Sequence, residues 1–167
     1  YDFLTIDDYD YEHKLIYKFS ATRVTTLMKL IILTKKYPTL NQYISLYKHQ
    51  INIKNSIGWT PLHLTCAIIS TDNDIITIRN LLDCGADVNM QTFKGNTVLH
   101  SFNSSNYINI SESLLIRAMS VILETNNVNL NIMNNVTCTA LYYHIKSLKS
   151  KKFQNLLLKY VPCVNQI

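Results

Sequence analysis

The sequence predicts an all-α solenoid of stacked helix-turn-helix units with projecting hairpin loops. Three observations carry that prediction: a short segment recurs in three registers, apolar stripes at helical spacing lie between the recurrences, and helix-starting and helix-stopping residues stand at the ends of those stripes.

The recurrence comes first. One segment reads Gly58-Trp59-Thr60-Pro61-Leu62-His63-Leu64, and 37 residues later the chain reads Gly95-Asn96-Thr97-Val98-Leu99-His100. A third, 42 residues further on, reads Thr137-Cys138-Thr139-Ala140-Leu141-Tyr142. Eight residues before each Thr stands an Asn (Asn52, Asn89, Asn131), and an apolar residue precedes each Asn (Ile51, Val88, Leu130). Agreement at several offsets in three registers marks a repeat protein.

In chain order, residues 1–22 read as an N-terminal extension or cap; residues 1–19 hold five acids and six of the seventeen aromatics. Residues 23–50 read as a degenerate repeat. Val24, Leu27, Met28 and Ile31 form one helical stripe ending at Tyr37-Pro38, and Leu40, Tyr43, Ile44 and Tyr47 form a second. Residues 51–87 are a full repeat. Thr60 is a good N-cap, and Pro61 suits the first helical position, where a missing N–H costs nothing. A polar break around Ser70–Asn73 follows, with Asp72 and Asp74 as helix caps. Ile75, Ile78 and Leu81/Leu82 then recur at helical spacing, and Gly85 supplies the stop. Residues 88–129 repeat the pattern with an inter-helix insertion at 103–110; Ser111 starts a helix carrying Leu115, Ala118/Met119 and Ile122. Residues 130–167 form a degenerate C-terminal repeat and cap. Leu141, Ile145 and Leu148 mark one helix, and Ser150 starts the other with Phe153, Leu156/Leu157 and Tyr160.

Composition bounds the function. The chain is 47% hydrophobic and 16% charged, and no apolar stretch approaches membrane-spanning length. Cys66, Cys84, Cys138 and Cys163 form no C-x-x-C pair, which fits reduced thiols better than a metal site or a disulfide scaffold. The chain begins at Tyr1 rather than Met, which points to a natural N-terminus further upstream and leaves a signal peptide open. Abundant Asn, Ile, Lys and Tyr fit an AT-rich genome and carry no function.

Thr60-Pro61-Leu62-His63-Leu64 and Leu81-Leu82-Asp83-Cys84-Gly85-Ala86-Asp87-Val88-Asn89 closely resemble the ankyrin-repeat consensus. The match is strong over 51–100, fair over 101–145 and weak elsewhere, and its irregular spacing resembles the divergent repeats of large DNA viruses, giant-virus or poxvirus-like. The resemblance implies about three to four repeats, each exposing an apolar flank that only its neighbour can bury. It also implies that His63 and His100 are structural, bonding backbone in adjoining loops, and that small residues at Cys66 and Ala67 let first helices pack closely. Gly95 has no counterpart in the third register, where Thr137 stands, so that loop is expected to turn differently.

No Gly-x-Ser-x-Gly, phosphate-cradling Gly loop or carboxylate pair points to catalysis, so no catalytic residue, metal, cofactor or small-molecule substrate is expected. The reading is a non-catalytic scaffold or adaptor in the cytoplasm, or the host cytoplasm for a viral chain. It would grip a protein partner through loop tips and the concave face of the first helices. The resemblance places the tips at Lys54–Ile57, Gln91–Lys94 and Met133–Val136. The candidate contact residues are Ile57, Trp59, Gln91, Phe93, Lys94, Asn96 and Asn134, with Trp59 the expected anchor. Charge supplies the alternative. Residues 125–167 carry Lys146, Lys149, Lys151, Lys152 and Lys159 and no acid, a basic surface for nucleic acid or an acidic partner.

Overall fold

The computed structural model describes residues 23–102, 111–142 and 151–160. Two stacks of helices run through these residues. The first-helix stack holds α1 (Thr26–Thr34), α2 (Pro61–Ala67) and α4 (Val98–Ser101). The return stack holds a 3-10 helix (Pro38–Gln50), α3 (Asp72–Asp83), α5 (Glu112–Leu123) and α6 (Lys151–Tyr160). In the first two repeats each helix packs on its partner, each stack packs from one repeat to the next, and the core fills the seam with Leu27, Met28, Leu62, Leu64, Ile78, Leu99, Ala118 and Met119.

The helix starts follow from local chemistry. Thr60 accepts the His63 N–H, and Pro61 stands at the first helical position of α2. Thr25 does the same for Met28, and Ser111 for Leu114. Thr25-Thr26-Leu27-Met28 therefore occupies the Thr-Pro-Leu-His position of the first repeat, a register the sequence hides because two of its four residues differ. α3 stops as Gly85 predicts. The Gly85 and Ala86 amides donate to Leu82 and Leu81 carbonyls (both 2.9 Å) with Gly85 at φ +91, the Schellman arrangement.

The Pro38–Gln50 stripe departs from expectation. Its inward residues are Asn41 and Ile44, with Tyr47 half-buried, while Tyr43 faces out. A 3-10 helix has 3.0 residues per turn, so residues three apart share a face and the α-helical spacing misassigns Tyr43. Asn41 is held by polar partners from α3: it donates to Asn73 (3.0 Å) and accepts from Thr77 (2.8 Å).

The expected caps divide. Asp74 accepts the amides of Ser70 (2.8 Å) and Thr71 (2.9 Å), closing a capping box at the start of α3. It also pairs with Lys35 at 2.6 Å, both side chains buried, and the Lys35 ammonium donates to the Ile68 carbonyl as well. Burial pushes the Lys35 ammonium below the usual lysine range, and the Asp74 charge opposes it. Asp72, in contrast, is exposed and pairs with Arg117 of α5; Thr71 is the N-cap. The proposed cap at 1–22, the insertion at 103–110, the helix residues Ile145 and Leu148 and the segment after Tyr160, including Cys163, lie outside the described residues.

Candidate protein-binding face

Between each return helix and the next first helix runs a loop that folds on itself and then bonds to its neighbours. In the first loop the Asn55 carboxamide oxygen accepts the amides of Ile57 (3.1 Å) and Trp59 (2.9 Å), while Asn55 N–H meets the Trp59 carbonyl at 2.9 Å. Asn134 does the same in the third loop with Val136 (3.1 Å) and Cys138 (3.1 Å). In the middle loop Thr92 stands at this position, and its hydroxyl accepts the Asn96 amide at 3.2 Å. The turn is thus built by a side-chain oxygen on the residue that begins it.

Two braces tie successive loops, and the pair recurs in register. The Asn52 carboxamide donates to the Gly85 carbonyl (3.1 Å) and accepts from Asp87 N–H (2.9 Å). One repeat on, Asn89 meets the Asn127 carbonyl (2.7 Å) and the Asn129 amide (2.8 Å). The second brace is histidine. His63 Nδ1 accepts the Thr60 amide (3.3 Å), leaving Nε2 to donate to the Asn96 carbonyl of the next loop (3.1 Å). His100 repeats this with Thr97 (3.2 Å) and the Cys138 carbonyl (3.0 Å). Burial drives the His63 imidazole down from 6.5 to about 4 and lowers His100 too, so both rings are neutral and the stated tautomer fits. Met28 and Tyr142 hold the corresponding positions on either side, and neither carries the imidazole that forms this brace. The histidine chain therefore binds three loops into one platform.

The loops also touch directly. A Cβ at Gly95 (φ +76) would lie 2.5 Å from Asn135 Oδ1 and 2.7 Å from its amide nitrogen. Gly95 thus serves both the turn and the approach of the next loop. Asn135 N–H donates to the Lys94 carbonyl (3.0 Å), and its carboxamide donates to Phe93 O (2.9 Å). Thr137, in the third loop, adopts φ +59 and donates its amide to Asn134 O (2.9 Å). The loop turns the same way after all: a left-handed Thr replaces the glycine.

Each candidate contact residue now has a place. Gln91 bridges the Gly95 (2.8 Å) and Met133 (3.0 Å) carbonyls. Asn96 accepts from Asn134 (2.9 Å), and Asn134 is buried. These three build the platform from within. Trp59 is half-buried, its ring packed on the core. Ile57, Phe93 and Lys94 are exposed. Beside them the structure adds Ile53, Met133 and Val136, so the tips present apolar side chains at 51% (Ile53), 39% (Ile57), 63% (Phe93), 57% (Met133) and 67% (Val136) exposure. Ile53 was missed because it lies one residue before the tip, inside what reads as frame. All of α2 is buried, and of α4 only Ser101 is half-exposed, so these two first helices offer almost no side chain to a partner, while α1 exposes Thr26 and Lys29. Lys151 and Lys152 fall in the first turn of α6; Lys146 and Lys149 lie outside the described residues. Among the described residues no three metal-ligating side chains converge, and no helix is long and apolar enough to cross a membrane.

A family model for the ankyrin repeat matches residues 57–93. The chain is also similar to two ankyrin-repeat proteins of Acanthamoeba polyphaga mimivirus. One is 39% identical over 79 residues, covering 45% of this chain and 13% of the relative. The other is 29% identical over 115 residues, covering 64% of this chain and 21% of the relative. The chain spans about a fifth or less of the length of these relatives. With helix pair, loop and both braces recurring in register beyond the matched segment, the described residues carry repeats of the ankyrin type, similar to those in the ankyrin-repeat proteins of a giant virus.

Proposed function

We propose that the chain is a non-catalytic protein-binding module whose partner lies across the three loop tips. One observation supports this above the others: exposed Ile53, Ile57, Phe93, Met133 and Val136 share a platform held rigid by side-chain and backbone bonds. Water-exposed loops gain nothing from such side chains, while a rigid apolar ridge loses little entropy on binding. Lys94 and Lys54 flank the ridge and would set orientation and encounter rate. Gln91, Asn96 and Asn134 act from beneath, and Trp59 supports the ridge from its half-buried site. A cytoplasmic setting with a host protein as partner fits the viral relatives.

Phe93→Ala tests this. The ring is largely exposed, so melting should shift little, whereas affinity for a purified partner should fall by about 2 kcal/mol, near thirtyfold. Equal affinity for parent and variant would remove the ridge from the interface. Loss of every interaction on Lys151→Ala/Lys152→Ala, with steep salt dependence, would move binding to the basic C-terminal surface instead.

A further inference from the structure

The ridge has a charge as well as an apolar character. The tips and the residues beside them, 53–58, 90–95 and 132–138, include Lys54 and Lys94 and no acid. Arg23, Lys29 and Lys48, all exposed, lie in the repeat that adjoins the first loop. A complementary occupant therefore combines carboxylates with aromatic or aliphatic side chains in an extended segment that can follow a row of tips.

This chain carries such a segment. Residues 1–12 read Tyr-Asp-Phe-Leu-Thr-Ile-Asp-Asp-Tyr-Asp-Tyr-Glu: five acids, four aromatics, Leu4 and Ile6, and no base. The path is short. The Leu27 amide donates to the Gln50 side chain at 3.0 Å, so the start of α1 sits at the foot of the first loop. Residues 13–22 supply ten residues of chain, about 33 Å when extended. Two steps between stacked elements amount to roughly 20 Å at 8–10 Å each, so the segment reaches every tip.

We propose that residues 1–12 dock on the tip ridge of their own chain and compete there with an outside partner. The proposal rests on the ridge being the binding face. Its carboxylates pair with Lys54 and Lys94, and its aromatics cover Phe93 and Met133. A partner then meets a ridge open only part of the time, and its apparent affinity falls by that fraction.

The test uses the chain of residues 1–167 and a labelled synthetic peptide with the sequence of residues 1–12. Asp7→Lys/Asp8→Lys should release the resident segment, so the peptide binds this variant about tenfold tighter than the parent, or more. Lys54→Glu/Lys94→Glu should weaken peptide binding in both backgrounds, as should Phe93→Ala and added salt. Both lysines are exposed, so melting should confirm an intact fold. Equal peptide affinity for parent and Asp7→Lys/Asp8→Lys, or binding to neither, overturns the proposal. Binding unchanged by the ridge variants overturns the location. A concentration-dependent dimer lost on Asp7→Lys/Asp8→Lys overturns the intramolecular form. If Phe93→Ala still costs an outside partner its affinity while the peptide fails to bind, the ridge stands and only its occupant falls.

Discussion

Gly95 and Thr137 occupy the same loop position at φ +76 and φ +59, one without a side chain and one β-branched. The difference is what lies beyond. Asn135 presses on Gly95, so Gly95→Ala adds a Cβ at 2.5 Å from a polar atom and a strained φ together. We expect a loss of about 2–4 kcal/mol in urea denaturation, above the ordinary range for surface sites. Thr137 is exposed, so it bears only the left-handed penalty, about 1–2 kcal/mol. Thr137→Gly should raise stability by up to about 1 kcal/mol, the flexible unfolded glycine offsetting part of the gain. Residue type alone misled here: Thr at a glycine position reads as a different turn, whereas the Asn134 scaffold imposes the same one. Asn134 misled in the other direction. A polar residue at a tip reads as a contact, and only the bonds to Val136 and Cys138 show it turned inward.

For whole elements, helix starts and stops were legible because capping is local chemistry: Thr60, Ser111 and Gly85 each act within a few residues. What the sequence hid was longer in range. Nothing local to Asn52 or Asn89 reveals that each reaches 33 to 38 residues ahead to a backbone carbonyl. The 3-10 period of Pro38–Gln50 was hidden for another reason: its apolar residues fall at α-helical spacing, whereas the tighter pitch turns Tyr43 outward and Asn41 inward. The close packing of first helices was legible, and it gives a prediction. Cys66 is fully buried in α2, a helix that packs on both α1 and α4, and burial pushes its thiol well above the usual range. Cys66→Leu should overpack the stack and cost about 1–3 kcal/mol, read as a lower melting temperature. A melting temperature equal to the parent's would place the helix contact elsewhere.

The platform as a whole should be acid-sensitive. Folded His63 takes a proton only near pH 4, while the unfolded chain takes it near 6.5. Between those values the unfolded state binds more protons, so stability is full above about 6.5 and falls as pH drops toward 4. For His63 alone the span is about 3 kcal/mol, and His100 adds in the same direction. Denaturation at pH 7 and pH 4.5 should show the loss. His63→Gln should be less stable at pH 7 but flatter with pH, whereas an unchanged slope would assign the sensitivity to other groups. At this scale the solenoid was readable from three registers, and the existence of a ridge from the placement of tips. The ridge's composition was only half readable, because exposure at Ile53, Met133 and Val136 depends on loops from other repeats.

The histidine brace has a further consequence for how such a chain diversifies. Its giving end demands a Thr and a His three residues apart, yet its receiving end is the backbone carbonyl of Asn96 or Cys138. A carbonyl is the one acceptor that every amino acid supplies. Substitution at 96 or 138 therefore leaves the brace its acceptor, and residue identity in the receiving loop can change while the histidine keeps the same bond.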